Sequence, residues 1–147
     1  NAPAITVGTL LPALRVRPDA FIGLEFTTVS PKPECCNTYW YRNVFFRGWW
    51  SKDDVPLGHA LGGHGTEWAL RLGWDPASAH VRIRSRFVAR NRGEENLFAP
   101  ERVGHSLGWE GSLAWRVSRA ELELNGSVED GSGWRSSALR AGLRAYF

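Results

Sequence analysis

Four arginines, Arg82, Arg84, Arg86 and Arg90, occupy even positions of one short stretch, "HVRIRSRFVARNR". A guanidinium presents a planar fork of donors that grips carboxylate or phosphate at two points, so a row of them on one side of a strand can hold oxyanions. Arg71 and Arg116 take the equivalent place in neighbouring segments. Each of these cations also has an acidic residue within the same pattern: Glu67, Glu110, Glu121 and Glu123. Taken singly, each arginine is expected to pair with one of these and stiffen the wall that carries it. Ligand contact is left to whatever excess stays unpaired.

A second concentration of chemistry lies in "FRGWWSKDDVPLGHALGGHGTEWAL", residues 46–70. Trp49 and Trp50 offer faces on which sugar rings can stack. His59 and His64 stand near Asp53 and Asp54, but their spacing fits no metal-binding pattern, and no metal or cofactor is expected. His59 is expected to hydrogen-bond within a loop that Gly58, Gly62 and Gly63 allow to fold tightly. His105-Ser106, and His64 with Asp53, are the candidates for a nucleophile or base, and nothing in the pattern orients them. No G-x-S-x-G occurs, and "GHALGGHG" lacks the Lys-Ser/Thr of a phosphate loop, so the chain is not expected to be an enzyme.

Composition narrows the setting. Arginine outnumbers lysine sixteen to two, yet the formal net charge is only +3, too little to point to nucleic acid. No apolar run is long enough for a membrane-spanning helix, which leaves open a barrel crossing with alternating strands of about 9–11 residues. Eight tryptophans are many for 147 residues. Cys35 and Cys36 are adjacent, match no metal spacing and indicate no redox compartment. A chain starting at Asn1 without any Met is expected to be a fragment or a processed form.

Period-two alternation supplies the elements. Strand-like segments fall at about 4–14, 20–29, 38–47, 65–74, 79–90, 104–117, 119–128 and 134–147. In the last, "SSALRAGLRAYF", Leu139, Ala141, Leu143 and Ala145 share one face while Arg140, Gly142, Arg144 and Tyr146 share the other. A soluble up-and-down barrel would turn the apolar set inward. Three features argue the reverse. Trp68, Trp74, Trp109 and Trp115 sit near strand ends, as interfacial girdles do. The charged face is mixed with Gly, Ala and Ser, which suits a crowded interior. The chain closes on Phe147, after an alternating strand.

The expected fold is therefore all-β: a single domain, 1–147, forming an antiparallel transmembrane barrel of about eight strands with an arginine-bearing lumen. Connections 75–78 and 117–119 are expected to be tight and periplasmic, and 48–64 and 91–103 long and external. A Gly131-Ser132 turn would set Glu123 opposite Arg140.

The stretch "PLGHALGGHGTEWALRLGW" resembles a segment of the capsule assembly protein Wzi family, in Leu57, Gly58, His59 and Gly62 followed by the strand Glu67–Trp74. The resemblance implies the C-terminal strands of a larger barrel in the bacterial outer membrane. It implies a monomer bound to outer-membrane lipid and lipopolysaccharide that retains capsular polysaccharide as a lectin does. The expected ligand contacts, in lumen and loop, are Arg71, Arg82, Arg84, Arg86, Arg116, Trp49, Trp50, His59 and His64. Two other functions fit the residues: an arginine-lined anion-selective pore, and an outer-membrane hydrolase.

Overall fold

Alternation of apolar and polar residues becomes a sheet because each apolar set can share one side only when the chain is extended. The computed structural model describes residues 4–12, 14, 17–29, 51–52, 55–56, 61, 64–77, 80–93 and 101–146. Its strands are β1 (Ala4–Leu11), β2 (Ala20–Val29), β3 (Ser51–Lys52), β4 (Val55–Pro56), β5 (Gly65–Trp74), β6 (Val81–Arg92), β7 (Gly104–Val117), β8 (Ala120–Gly131) and β9 (Trp134–Ala145). Seven of them form one antiparallel sheet in the order β1-β2-β5-β6-β7-β8-β9, and β3 and β4 pair as a separate two-residue ladder. No helix occurs among the described residues.

The sheet is open, with β1 and β9 as its edges. Six successive antiparallel pairings make these two edges run in the same direction. Closing the sheet with antiparallel pairs throughout would take an odd number of further strands between them. The expected segment 38–47 lies outside the described residues. β2 pairs directly with β5 from Ala20↔Trp74 to Val29↔Gly65, so β2 ends and β5 begins on the side of the sheet that carries the 132–133 turn. The opposite side carries 12–19, 75–80 and 118–119, none longer than eight residues.

That short-loop side is stitched together by the backbone. The Asp75 N–H donates to the Asp19 carbonyl at 2.9 Å, Arg116 N–H to the His80 carbonyl at 2.7 Å, and Tyr146 N–H to the Arg119 carbonyl at 2.8 Å. The Trp74 indole N–H adds a bond to the Asp19 carboxylate. At the 118–119 turn Ser118 adopts a φ of 54°, a left-handed conformation unusual for a residue with a side chain.

The last hairpin differs from expectation. Gly131 pairs with Trp134, so Ser132 and Gly133 make the turn, with Gly133 at φ 82°. The register shifts by two residues: Glu123 faces Gly142, and Arg140 faces Asn125. A shift of two preserves which side chains share a face, so the alternation argument survives the correction.

The two faces are chemically opposite. Outward stand Leu139 and Leu143, 81% and 76% exposed, with Trp68, Trp109, Trp115, Ile83, Phe87, Leu107 and Leu113 also substantially uncovered. Inward, Glu67 and Glu121 are buried to 1% and 3%, beside Arg90, Arg92 and Ser106. On the outer face the Trp109 ring lies against Gly111, and on the inner face Phe21 lies against Gly73. Aromatic rings thus fill the gaps that strand glycines leave.

Candidate functional site

The inner face is a lattice of arginine and glutamate organised by strand register. Arg86 and Arg90 of β6 stand directly opposite Glu110 of β7 and Glu67 of β5, respectively. Arg86 also reaches Glu67, and Arg90 also reaches Glu110 at 3.3 Å and, across the whole width of β7, Glu129 of β8 at 2.8 Å. Arg92 joins Glu129 at 2.7 Å, and the Ser106 hydroxyl donates to that same carboxylate at 2.6 Å.

Those long reaches explain a feature of the sequence. Between Arg90 and Arg92 on β6 and Glu129 on β8, the inward positions of β7 are Gly104, Ser106 and Gly108. Small residues leave a channel over the middle strand through which guanidinium groups pass. Ala114 serves the same purpose for Arg82, whose guanidinium lies 3.0 Å from Glu121 on β8. Glu121 also receives Arg116 at 3.1 Å and Arg144 at 3.6 Å, and Arg116 covers the Tyr146 ring at 5.0 Å. On the other flank Arg71 pairs with Glu25 at 3.0 Å.

Between these clusters the pairing thins out. Among the described residues nine arginines and six glutamates project from the inner face: Arg140 and Glu123 complete the set with Arg84 and the residues just named. Among the described residues Arg84 forms an ion pair with Asp75 alone, at 3.8 Å, with both side chains about half exposed. Arg140 forms no ion pair among the described residues. Both line a groove of about 920 Å³ that runs from Leu10 on β1 to Arg140 on β9. Its floor is polar, with Ser112, Asn125 and Ser127, and its one carboxylate, Glu110, is engaged by Arg86 and Arg90.

The expected site residues divide accordingly. Arg82 and Arg116 converge on Glu121; Arg86 belongs to the buried cluster around Glu67; Arg71 and Arg84 line the groove. His64 stands at the mouth of β5, its carbonyl accepting from Gly93 N–H at 3.1 Å. Trp49, Trp50 and His59 lie outside the described residues, as do Asp53 and Asp54. His105 and Ser106 are neighbours within β7 and so point to opposite faces, which rules them out as an adjacent acting pair. Among the described residues no group of three His, Cys, Asp or Glu side chains could hold a metal ion.

Arg92, Glu129, Glu25, Arg140 and Arg144 belong to the lattice without being among the expected contacts. β6 and β8 run two and three residues past the expected ends at 90 and 128, which brings in Arg92 and Glu129. Parity was the available signal, since both continue the inward series of their strands.

No family model, no curated protein and no solved structure matches the chain. No helix among the described residues is long and apolar enough to cross a membrane, which says nothing about crossing by strands.

Proposed function

We propose that this chain forms the wall of a bacterial outer-membrane β-barrel and engages acidic polysaccharide at the cell surface. One observation carries the membrane part: a single sheet exposes its leucines and tryptophans on one side and buries charged pairs on the other. Water favours the reverse arrangement, because an exposed apolar face of this extent costs free energy and a buried charge pays desolvation. Against acyl chains the same arrangement is favourable, with the lumen holding the polar groups. Short connections on one side and longer ones on the other fit a periplasmic and an external end.

The polysaccharide part is supported by the excess of inward arginines, by the groove and by the likeness of "PLGHALGGHGTEWALRLGW" to the Wzi family. Confined cations concentrate an anionic polymer more strongly than the same charges in open water. The test is a binding titration in detergent against acidic and neutral capsular polysaccharides at low and high salt. Tight, salt-weakened binding of the acidic polymer alone is expected. Equal binding of both polymers, or of neither, would refute the proposal.

A second reading, an anion-selective pore, is favoured by the inward arginines outnumbering the inward glutamates among the described residues. It predicts anion conductance across planar bilayers that falls when Arg84 and Arg86 become Ser. A complete lack of conductance would remove it.

A further inference from the structure

We infer that Arg84 and Arg140 form a binding site for one oxyanion of a polyanionic ligand, on a floor made by Ser112 and Asn125. The inference rests on the glycan reading for the polymer that supplies the anion, and on geometry alone for the site.

The four residues form a single row across the inner face. Arg84 of β6 pairs with Ser112 of β7, Ser112 with Asn125 of β8, and Asn125 with Arg140 of β9. Strand spacing puts the two arginines about 14 Å apart along the sheet. A hydroxyl and an amide, both able to donate, lie between them. All four residues line the same groove.

What distinguishes this row is the state of its charges. Every other inward arginine has a glutamate within 3.6 Å. Among the described residues Arg84 has only the exposed Asp75, at 3.8 Å, and Arg140 has no ion pair. Two acids lie near the row. Glu110 is held by Arg86 and Arg90, while Glu123 accepts a bond from the neutral Asn125 amide at 3.2 Å and keeps its charge, with no ion pair among the described residues. Arg84 and Arg140 outnumber that one carboxylate, which leaves a positive band across the middle of the lattice. That band is half exposed, so its arginines keep donors free without the desolvation cost that buried cations carry.

The chemistry selected is an oxyanion with room on either side: a uronate carboxylate within a polymer, or a phosphate group. A guanidinium grips either group at two points. Beyond Arg84 the row continues to Gly73, over which the Phe21 ring lies and closes that end of the groove, while Gly142, paired with Glu123, has open space above it.

The test uses the full chain in detergent, with Arg84→Gln, Arg140→Gln and, as a charge-matched control on the outer face, Arg135→Gln. Neither Arg84 nor Arg140 supports the buried clusters, so both variants are expected to fold, which heat-dependent gel migration checks. A polygalacturonate oligomer and inorganic phosphate are titrated separately. Each site variant is expected to lose about tenfold in affinity for the anion that binds, the worth of one charge-assisted hydrogen bond, while the control is unchanged. Phosphate binding lost in the variants, with no polygalacturonate binding to any form, upholds the site and refutes the glycan reading. Polygalacturonate bound equally by all forms refutes the site and leaves that reading standing. Failure of the wild-type chain to bind either anion refutes the site.

Discussion

Glu67 of β5 and Arg90 of β6 face each other across a strand pair, and both are almost wholly withdrawn from solvent, at 1% and 6% exposure. The same carboxylate also takes Arg86, so one buried anion ties two buried or half-buried cations to the neighbouring strand. Glu110 touches the same two arginines from the other side but is itself 44% exposed.

That difference sets the cost of removing each acid. Glu67→Ala leaves two guanidinium groups short of a partner inside the wall and is expected to destabilise by about 3–5 kcal/mol. Glu110→Ala removes a solvent-screened partner and is expected to cost about 1 kcal/mol or less. Urea unfolding of the two variants in detergent gives the comparison, and equal midpoints would contradict the burial difference.

An outward face in contact with acyl chains makes adjacent positions on β9 respond oppositely to the same change. Leu139→Arg puts a cation against lipid and is expected to cost about 2–4 kcal/mol if it lies near the bilayer midplane. Ala138→Arg, one residue away, adds its charge to the groove side, and its folding into lipid vesicles should be far less affected. Equal folding yields for the two variants would count against a lipid-facing Leu139.

Ser118 carries backbone strain in the tightest turn of the short-loop side. For a residue with a Cβ the left-handed region costs roughly 1–2 kcal/mol, and glycine escapes that cost at the expense of chain entropy. Ser118→Gly should therefore leave stability unchanged or raise it by up to about 1 kcal/mol, while the β-branched Ser118→Val should lower it. Unfolding midpoints settle the order, and a Val variant as stable as the Gly variant would show the turn to be unstrained.

Phe21 over Gly73 tests the inner surface next to the arginine row. In Gly73→Val the new side chain meets the ring, which is expected to cost about 1–3 kcal/mol through overpacking. Phe21→Ala in the same chain should return part of that loss, since removing the ring removes the clash. Strictly additive losses in the double variant would mean that the two residues do not touch.

Much of this arrangement was legible in the sequence because a strand has an unforgiving period. Leu139, Ala141 and Leu143 could only share a face, and Arg140, Gly142 and Arg144 the other, whatever the register. What period two does not encode is where a strand ends. "VEDGSGW" contains two glycines fit for a turn: a turn at 131–132 sets Arg140 against Glu123, the observed one at 132–133 sets it against Asn125, and the strand's extra three residues bring in Glu129. Nor does alternation reveal reach: that Arg82, Arg90 and Arg92 cross a whole strand depends on Ala114, Ser106 and Gly104 being small. Those small residues were visible as a crowded-interior signal, but their partners two strands away were not.

The orientation of the two faces is tested most directly by placing single spin labels along β9 of the refolded chain in lipid vesicles, with Cys35 and Cys36 replaced by Ser. Labels at 139, 141 and 143 should collide with oxygen dissolved in the bilayer, and labels at 140, 142 and 144 with a water-soluble nickel chelate. Period-two alternation in that phase is the predicted result. Uniform access to the chelate, or alternation in the opposite phase, would contradict a barrel wall that faces lipid with its leucines and water with its arginines.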